Sequence, residues 1–211
     1  MSARRRFALL LALAAAAAAL AACGSEERQD ANEPEGEFEV EVTTAAFSTE
    51  QRLAETHDLV LGIENTGAEA VPELSLTVFV GDGTADGSFK VRSDQPGLAN
   101  PNRPIWVLQN KYPRFVGQPP PKGLSGGFRA ETNTFGFGTL EPGQTKDLIW
   151  RVTPVQSGIY TLSFIVEAGL AGKAQAVTAD GDEVRGEFVV EIKDEPARQR
   201  VNGQGKVVTK N

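Results

Sequence analysis

Four features of this 211-residue chain carry side chains that could do chemistry: a lone thiol, a serine between glycines, a spaced pair of aspartates and a lone imidazole. Cys23 is the single cysteine, so no disulfide within the chain is available. Gly123-Leu124-Ser125-Gly126-Gly127 matches G-x-S-x-G, in which the serine is a hydrolase nucleophile. That chemistry needs a strand before the serine, a helix after it and a histidine later in the chain. Here Pro119-Pro120-Pro121 precedes, no helical pattern follows and His57 lies upstream, so the segment reads as a loop. Asp82-x-Thr84-x-Asp86-Gly87 has the opening spacing of a calcium loop, but the closing acid falls on Ser93. It reads as an Asp/Gly turn. His57, between Thr56 and Asp58, is a polar residue at a strand end. It is the single histidine, and the single methionine is Met1, so a zinc or copper site is excluded. An all-carboxylate calcium site remains compatible with the composition, and no cofactor is expected beyond what Cys23 carries. No paired carboxylates stand at a catalytic spacing, and the chain is expected not to be an enzyme.

The thiol is the informative group because of what surrounds it. Arg4, Arg5 and Arg6 are followed by the apolar run 7–20, then by Leu20-Ala21-Ala22-Cys23 and Gly24-Ser25. A basic start, a short apolar core and small residues make an export signal. The apolar core is shorter than the roughly 20 residues that cross a ~30 Å hydrocarbon layer. Arg4-Arg5-Arg6-Phe7 approaches a twin-arginine signal, but Ala8 stands where a leucine is usual, which favours general secretion. Leu20-Ala21-Ala22-Cys23 resembles the lipobox of bacterial lipoproteins. The resemblance implies cleavage after residue 22, a diacylglyceryl thioether and an acyl chain on Cys23, and a domain on the extracytoplasmic face of the cell membrane. Two or more chains hold a protein stably where one holds it marginally.

Removing Arg4, Arg5 and Arg6 leaves 18 basic against 28 acidic residues, a net charge of −10. Such a surface repels phosphate backbones and excludes nucleic acid as a partner. Residues 23–37 form an acidic tether with Pro34 and Gly36 and almost nothing apolar. From residue 38 the hydrophobic period becomes two. Phe38, Val40 and Val42; Leu59, Leu61 and Ile63; Leu74, Leu76, Val78 and Val80; Leu148, Trp150 and Val152; Tyr160, Leu162, Phe164 and Val166; and Phe188, Val190 and Ile192 each alternate with their neighbours. Asn65-Thr66-Gly67, Glu141-Pro142-Gly143-Gln144, Gln156-Ser157-Gly158 and Asp180-Gly181-Asp182 supply turns between them. Ser48 to Gln51 has capping-box spacing, but no helical stripe follows. Short strands with Gly and Pro turns predict an all-β fold, an antiparallel β-sandwich over residues 38–195. Residues 196–211 are polar and are expected to form a loosely held tail.

Leu59 to Gly67 resembles the strand-into-turn of immunoglobulin-like modules of the CARDB type. Leu140-Glu141-Pro142-Gly143-Gln144-Thr145, Trp150 and Gly158-Ile159-Tyr160-Thr161-Leu162 are similar to their later strands. The whole chain, from the lipobox to Gly186-Glu187-Phe188-Val189-Val190, is similar to Ala-rich lipoproteins of actinobacteria. The resemblance implies an immunoglobulin-like fold and a non-catalytic module of the cell envelope. It carries no catalytic residue across. Accessory subunit of a membrane complex and, further off, hydrolase of an envelope polymer are the other readings of function.

The departure from that pattern is residues 81–138, an insertion where a short connection is expected. Lys90, Arg92, Arg103, Lys111, Arg114, Lys122 and Arg129 face Asp82, Asp86, Asp94 and Glu131 there, so it is +3 against −13 for the rest of the secreted chain. Arg103, Trp106, Tyr112, Arg114, Phe115, Phe128 and Arg129 form its aromatic and basic set. Arginines beside aromatics suit sugars, anionic polymers or protein partners. The same set could instead cover an edge of the sandwich.

Overall fold

The computed structural model describes residues 33–81, 89–91, 104–118, 128–129, 133–195 and 199–209. Cys23, Arg103 and Ser125, and the pair Asp82 and Asp86, lie outside the described residues. Every regular element among those described is a strand: β1 (Gly36–Ala46), β2 (Glu50–Arg52), β3 (His57–Asn65), β4 (Ser75–Val80), β5 (Phe89–Val91), β6 (Trp106–Leu108), β7 (Arg114–Phe115), β8 (Phe128–Arg129), β9 (Thr134–Gly136), β10 (Thr145–Pro154), β11 (Gly158–Glu167), β12 (Ala174–Val177), β13 (Arg185–Lys193), β14 (Gln199–Val201) and β15 (Val207–Thr209).

Two sheets form the sandwich. One runs β12-β1-β3-β10-β6-β5, with β7 also paired to β10; the other runs β2-β13-β11-β4-β9-β8. The alternation read from the sequence sets the faces. Leu59, Leu61, Ile63, Leu148, Trp150 and Val152 from the first sheet meet Leu74, Leu76, Val78, Leu162, Phe164, Val190 and Ile192 from the second, all buried. Phe135 and Phe137 pack edge-on against Trp150, with centroids 6.0 and 5.7 Å away. β1 is bent by a register shift between Val42 and Thr44. Gly62 lies opposite that bend. A Cβ there would stand 2.6 Å from Asp147 Oδ1 and 2.8 Å from Thr43 Oγ1, so the close strand approach requires glycine.

The insertion is built into the sandwich. It supplies β5, β6 and β7 to one sheet and β8 and β9 to the other. β6 pairs with the end of β10, Val152 to Leu108 and Pro154 to Trp106. Trp106 is fully buried, its Nε1 donating to Gln51 Oε1 at 2.8 Å. The structure therefore corrects the reading of Trp106 as a surface side chain. An indole exceeds any other side chain in the apolar area it removes from water, and here the inter-sheet space takes it.

Both ends of the domain differ from the sequence expectation. The tether was expected to run to Glu37, yet the fold begins at Glu33, whose carboxylate accepts four backbone N–H groups. Leu170 and Ala171 donate to Oε2 at 2.7 and 2.6 Å, and Lys173 and Ala174 donate to Oε1 at 2.8 and 2.9 Å. β1 then runs parallel to β12, Gly36 to Ala174 through Glu39 to Val177. At the other end, residues 199–209 form a hairpin rather than an unstructured tail. Val201 pairs with Val207 and Arg200 with Val208, and Asn202 Oδ1 accepts from Gln204 and Lys206 N–H at 3.0 and 2.9 Å to close the turn.

Candidate functional site

The described part of the aromatic and basic set divides between the interior and one outer face. Tyr112 follows β6 and precedes β7, joined to Pro113 by a cis peptide bond. It is 6% exposed, and its ring has two guanidinium groups close by, Arg114 with its carbon 4.5 Å from the ring centroid and Arg151 at 5.3 Å. Strand register produces this. Arg114 is level with Ile149 of β10, and Arg151 follows two residues later on the same face. Arg151 is also level with Asp58 of β3. The two form a bidentate pair, Nε to Oδ1 and Nη2 to Oδ2, both 2.7 Å. The Asp58 hydrogen bonds hold the Arg151 pKa above even its ordinary value, against the opposing effect of burial.

Arg114 differs from Arg151 in one respect. It is half-buried and stacked on Tyr112, but among the described residues no carboxylate pairs with it. A stacked guanidinium keeps its in-plane N–H donors free for a carboxylate or phosphate.

Phe115, the next residue, faces the other way. It is level with Leu148, packs edge-on against Phe137 at 6.0 Å, and lies 5.7 Å from Lys146 Nζ. Lys146 Nζ donates to the carbonyls of Phe137, Gly138 and Thr139 at 2.7, 3.2 and 2.7 Å. Burial lowers its pKa, while Glu73 and Glu141 pull in the opposite direction. Lys146 thus fastens the end of the insertion to β10. Phe128 and Arg129 form β8, paired with Gly136 and Phe135 of β9 on the other sheet, so the set is not one surface.

Asp58, Arg151, Gln51 and Lys146 were not singled out in the sequence. Asp58 and Arg151 are 93 residues apart and meet through strand pairing alone. The capping-box spacing from Ser48 to Gln51 opens no helix, as the missing apolar stripe indicates, and Gln51 lies in β2. Gln51 Nε2 donates instead to Ser48 O at 2.9 Å, which turns its Oε1 to Trp106. His57 lies at the start of β3, with Nε2 3.6 Å from Glu55 Oε2. No group of three or more His, Cys, Asp and Glu that could hold a metal ion occurs among the described residues.

No family model matches the chain, and no curated protein sequence does. The chain is similar to several solved structures. The CARDB domain of a Pyrococcus furiosus protein, crystallised in complex with di-metal ions, is 14% identical over 75% of this chain and 94% of that one, with a TM-score of 0.41. The solution structure of that domain gives 0.42. A cohesin module of a Clostridium perfringens family 33 glycoside hydrolase is 12% identical over 74% of this chain and 98% of that one, at 0.40. The β-sandwich is defined by this chain's own two sheets.

Proposed function

We propose that the chain is a lipid-anchored module on the extracytoplasmic face of the cell membrane, whose immunoglobulin-like domain binds or assembles at the envelope without catalysing a reaction. One observation carries the anchor: the sole cysteine stands where the short apolar leader meets an acidic tether. The diacylglyceryl and acyl groups on Cys23 supply the membrane partner. The binding part of the reading rests on Arg114, stacked on Tyr112 at the sandwich surface with its donors unclaimed by any described carboxylate. Its partner is an anionic envelope polymer or a protein presenting carboxylates or phosphates.

Two variants test the reading. Cys23→Ser moves the protein from the membrane to the soluble fraction of the producing cell; retention in the membrane sinks the anchor. Arg114→Ala leaves thermal unfolding within a few degrees of the parent but abolishes retention on isolated envelope material. Unchanged retention places the binding surface elsewhere. Trp106→Ala serves as the contrast, since loss of that buried indole unfolds the domain whatever its ligand.

A further inference from the structure

The loop between β11 and β12 is fixed to the sandwich independently of what it holds. Ala168 and Ala174 at its two ends are buried, at 0% and 1% exposure. Ser75 Oγ, itself buried, donates to Gly169 O at 2.7 Å, and Glu73 N donates to Ala168 O at 3.1 Å. Within the loop Gly172, at a φ of 76°, turns the chain so that the amides before and after it converge.

The converging donors have the shape of a carboxylate. Leu170 and Ala171 N–H donate to one oxygen of Glu33 at 2.7 and 2.6 Å, and Lys173 and Ala174 N–H donate to the other at 2.8 and 2.9 Å. All four donors are backbone groups, so the receptor is uncharged. Two donors to each oxygen of one planar group match a carboxylate. A primary amide would turn its own NH2 toward two N–H groups. Gly169 leaves room for the group, since a Cβ there runs into the Glu33 carboxylate.

The occupant is held by less than the receptor is. Pro34, Glu35 and Glu37 are exposed, and the first buried side chain of β1 is Phe38. Residues 33–35 make no hydrogen bond to the described residues other than those of the Glu33 carboxylate. The next tie is Gly36 N, which donates to Lys173 O at 3.2 Å where the β1–β12 ladder begins.

We propose that the Gly169–Ala174 loop is a carboxylate-binding site with Glu33 as its built-in occupant, and that a carboxylate of another molecule takes the same four amides and turns residues 33–35 out. The exchange lengthens the segment leading into the domain by about 10 Å. It is independent of the Arg114 surface, where the recognising group is a cation.

Acetate is the probe, because Glu33→Ala removes the CH2–carboxylate portion that acetate replaces. In the full chain carrying Glu33→Ala, acetate shifts the backbone amide resonances of Leu170, Ala171, Lys173 and Ala174 to saturation and raises the thermal unfolding midpoint by a few degrees. Chloride, sulfate and acetamide do neither at matched ionic strength. Adding Gly169→Ala removes the response. In the parent chain the same shifts need at least about tenfold more acetate, because Glu33 competes from within, and the Gly36 amide then exchanges faster. A readout that does not depend on the alanine variant folding is Glu33→Gln, which keeps the side-chain length and responds at an intermediate concentration. N-acetylglutamate amide identifies the source: saturation below the acetate concentration assigns a glutamate side chain, and saturation above it a small free carboxylate. Four amides that do not respond to acetate in either variant overturn the site, and an equal response to sulfate overturns its carboxylate selectivity. A parent chain in which the four amides never shift, or shift while Gly36 stays protected, overturns the exchange.

Discussion

Asn65 ends β3 with its side chain fully buried and every major polar demand met. Nδ2 donates to Glu69 O at 2.9 Å and Leu140 O at 2.8 Å, while Oδ1 accepts from Gly67 N at 3.0 Å. The side chain thus closes the turn after β3 and ties it to the start of the turn before β10. Asn65→Ala removes all three of these bonds, although Leu140 O keeps the Val71 N–H and Gly67 N keeps Glu39 O, and costs about 1–3 kcal/mol, read as a lower urea midpoint at constant slope. His57 makes a prediction about pH. Burial pushes its pKa below the ordinary histidine value, and the nearby charges of Glu55 and Asp58 offset this only in part. The unfolded chain then takes up the proton more readily than the folded one. Stability is complete above the unfolded value of about 6.5 and declines as pH falls through it. His57→Gln flattens the dependence of the urea midpoint on pH between about 7 and 5. A dependence equally steep in the variant would assign it to other groups.

The six long strands, β1, β3, β4, β10, β11 and β13, were legible because each has one buried face and alternates accordingly. β12 was not: Ala174 and Ala176 are its buried residues, and alanine signals a strand weakly. β2 escaped because it is three residues of Glu, Gln and Arg, held by pairing to the end of β13 rather than by burying a stripe. The insertion's strands are two or three residues long, too short to show a period. Their aromatics announced themselves, but aromatic residues look alike in sequence whether they bind a partner or fill a core. Trp106 filled the core, and Tyr112 became a platform near both Arg114 and Arg151. The Asp58–Arg151 half of that site was hidden because only register brings β3 and β10 level. At this scale Lys146 is the element to test. Lys146→Met takes a donor from the carbonyls of Phe137, Gly138 and Thr139, of which Gly138 O keeps the Leu74 N–H, and loosens the segment after β9. A loss of about 1–3 kcal/mol is expected, with hydrogen exchange of Leu74 and Val71 amides, which bond to Gly138 and Leu140, accelerating first.

For the whole molecule the informative contact is the Glu33 carboxylate in its ring of amides. Burial raises its pKa, but the N–H groups of Ala174, Ala171, Leu170 and Lys173 together outweigh this and hold it below the ordinary glutamate value. The folded state then prefers the ionised form more than the unfolded state does. That contribution is present above the unfolded pKa of about 4.3 and is lost as pH falls through the lower, folded value. Glu33→Gln should therefore unfold less steeply on acidification than the parent, measured by circular dichroism from pH 5 downward. Gly169→Ala tests the same contact from the other side, because a Cβ there runs into the Glu33 carboxylate. It should expose Leu170 to Ala174 to faster exchange while β11 stays protected.

The same contact also decides how the molecule bears a load. Tension drawn along residues preceding Glu33 enters the fold at that carboxylate and passes directly into β1, beside its parallel partner β12. With the two strands running the same way, the bonds between Gly36 and Val177 are strained together rather than unzipped one at a time. Pulled from that end, the domain would hold by this seam, and slackening it at Glu33 would let the first strand peel before the sandwich opened.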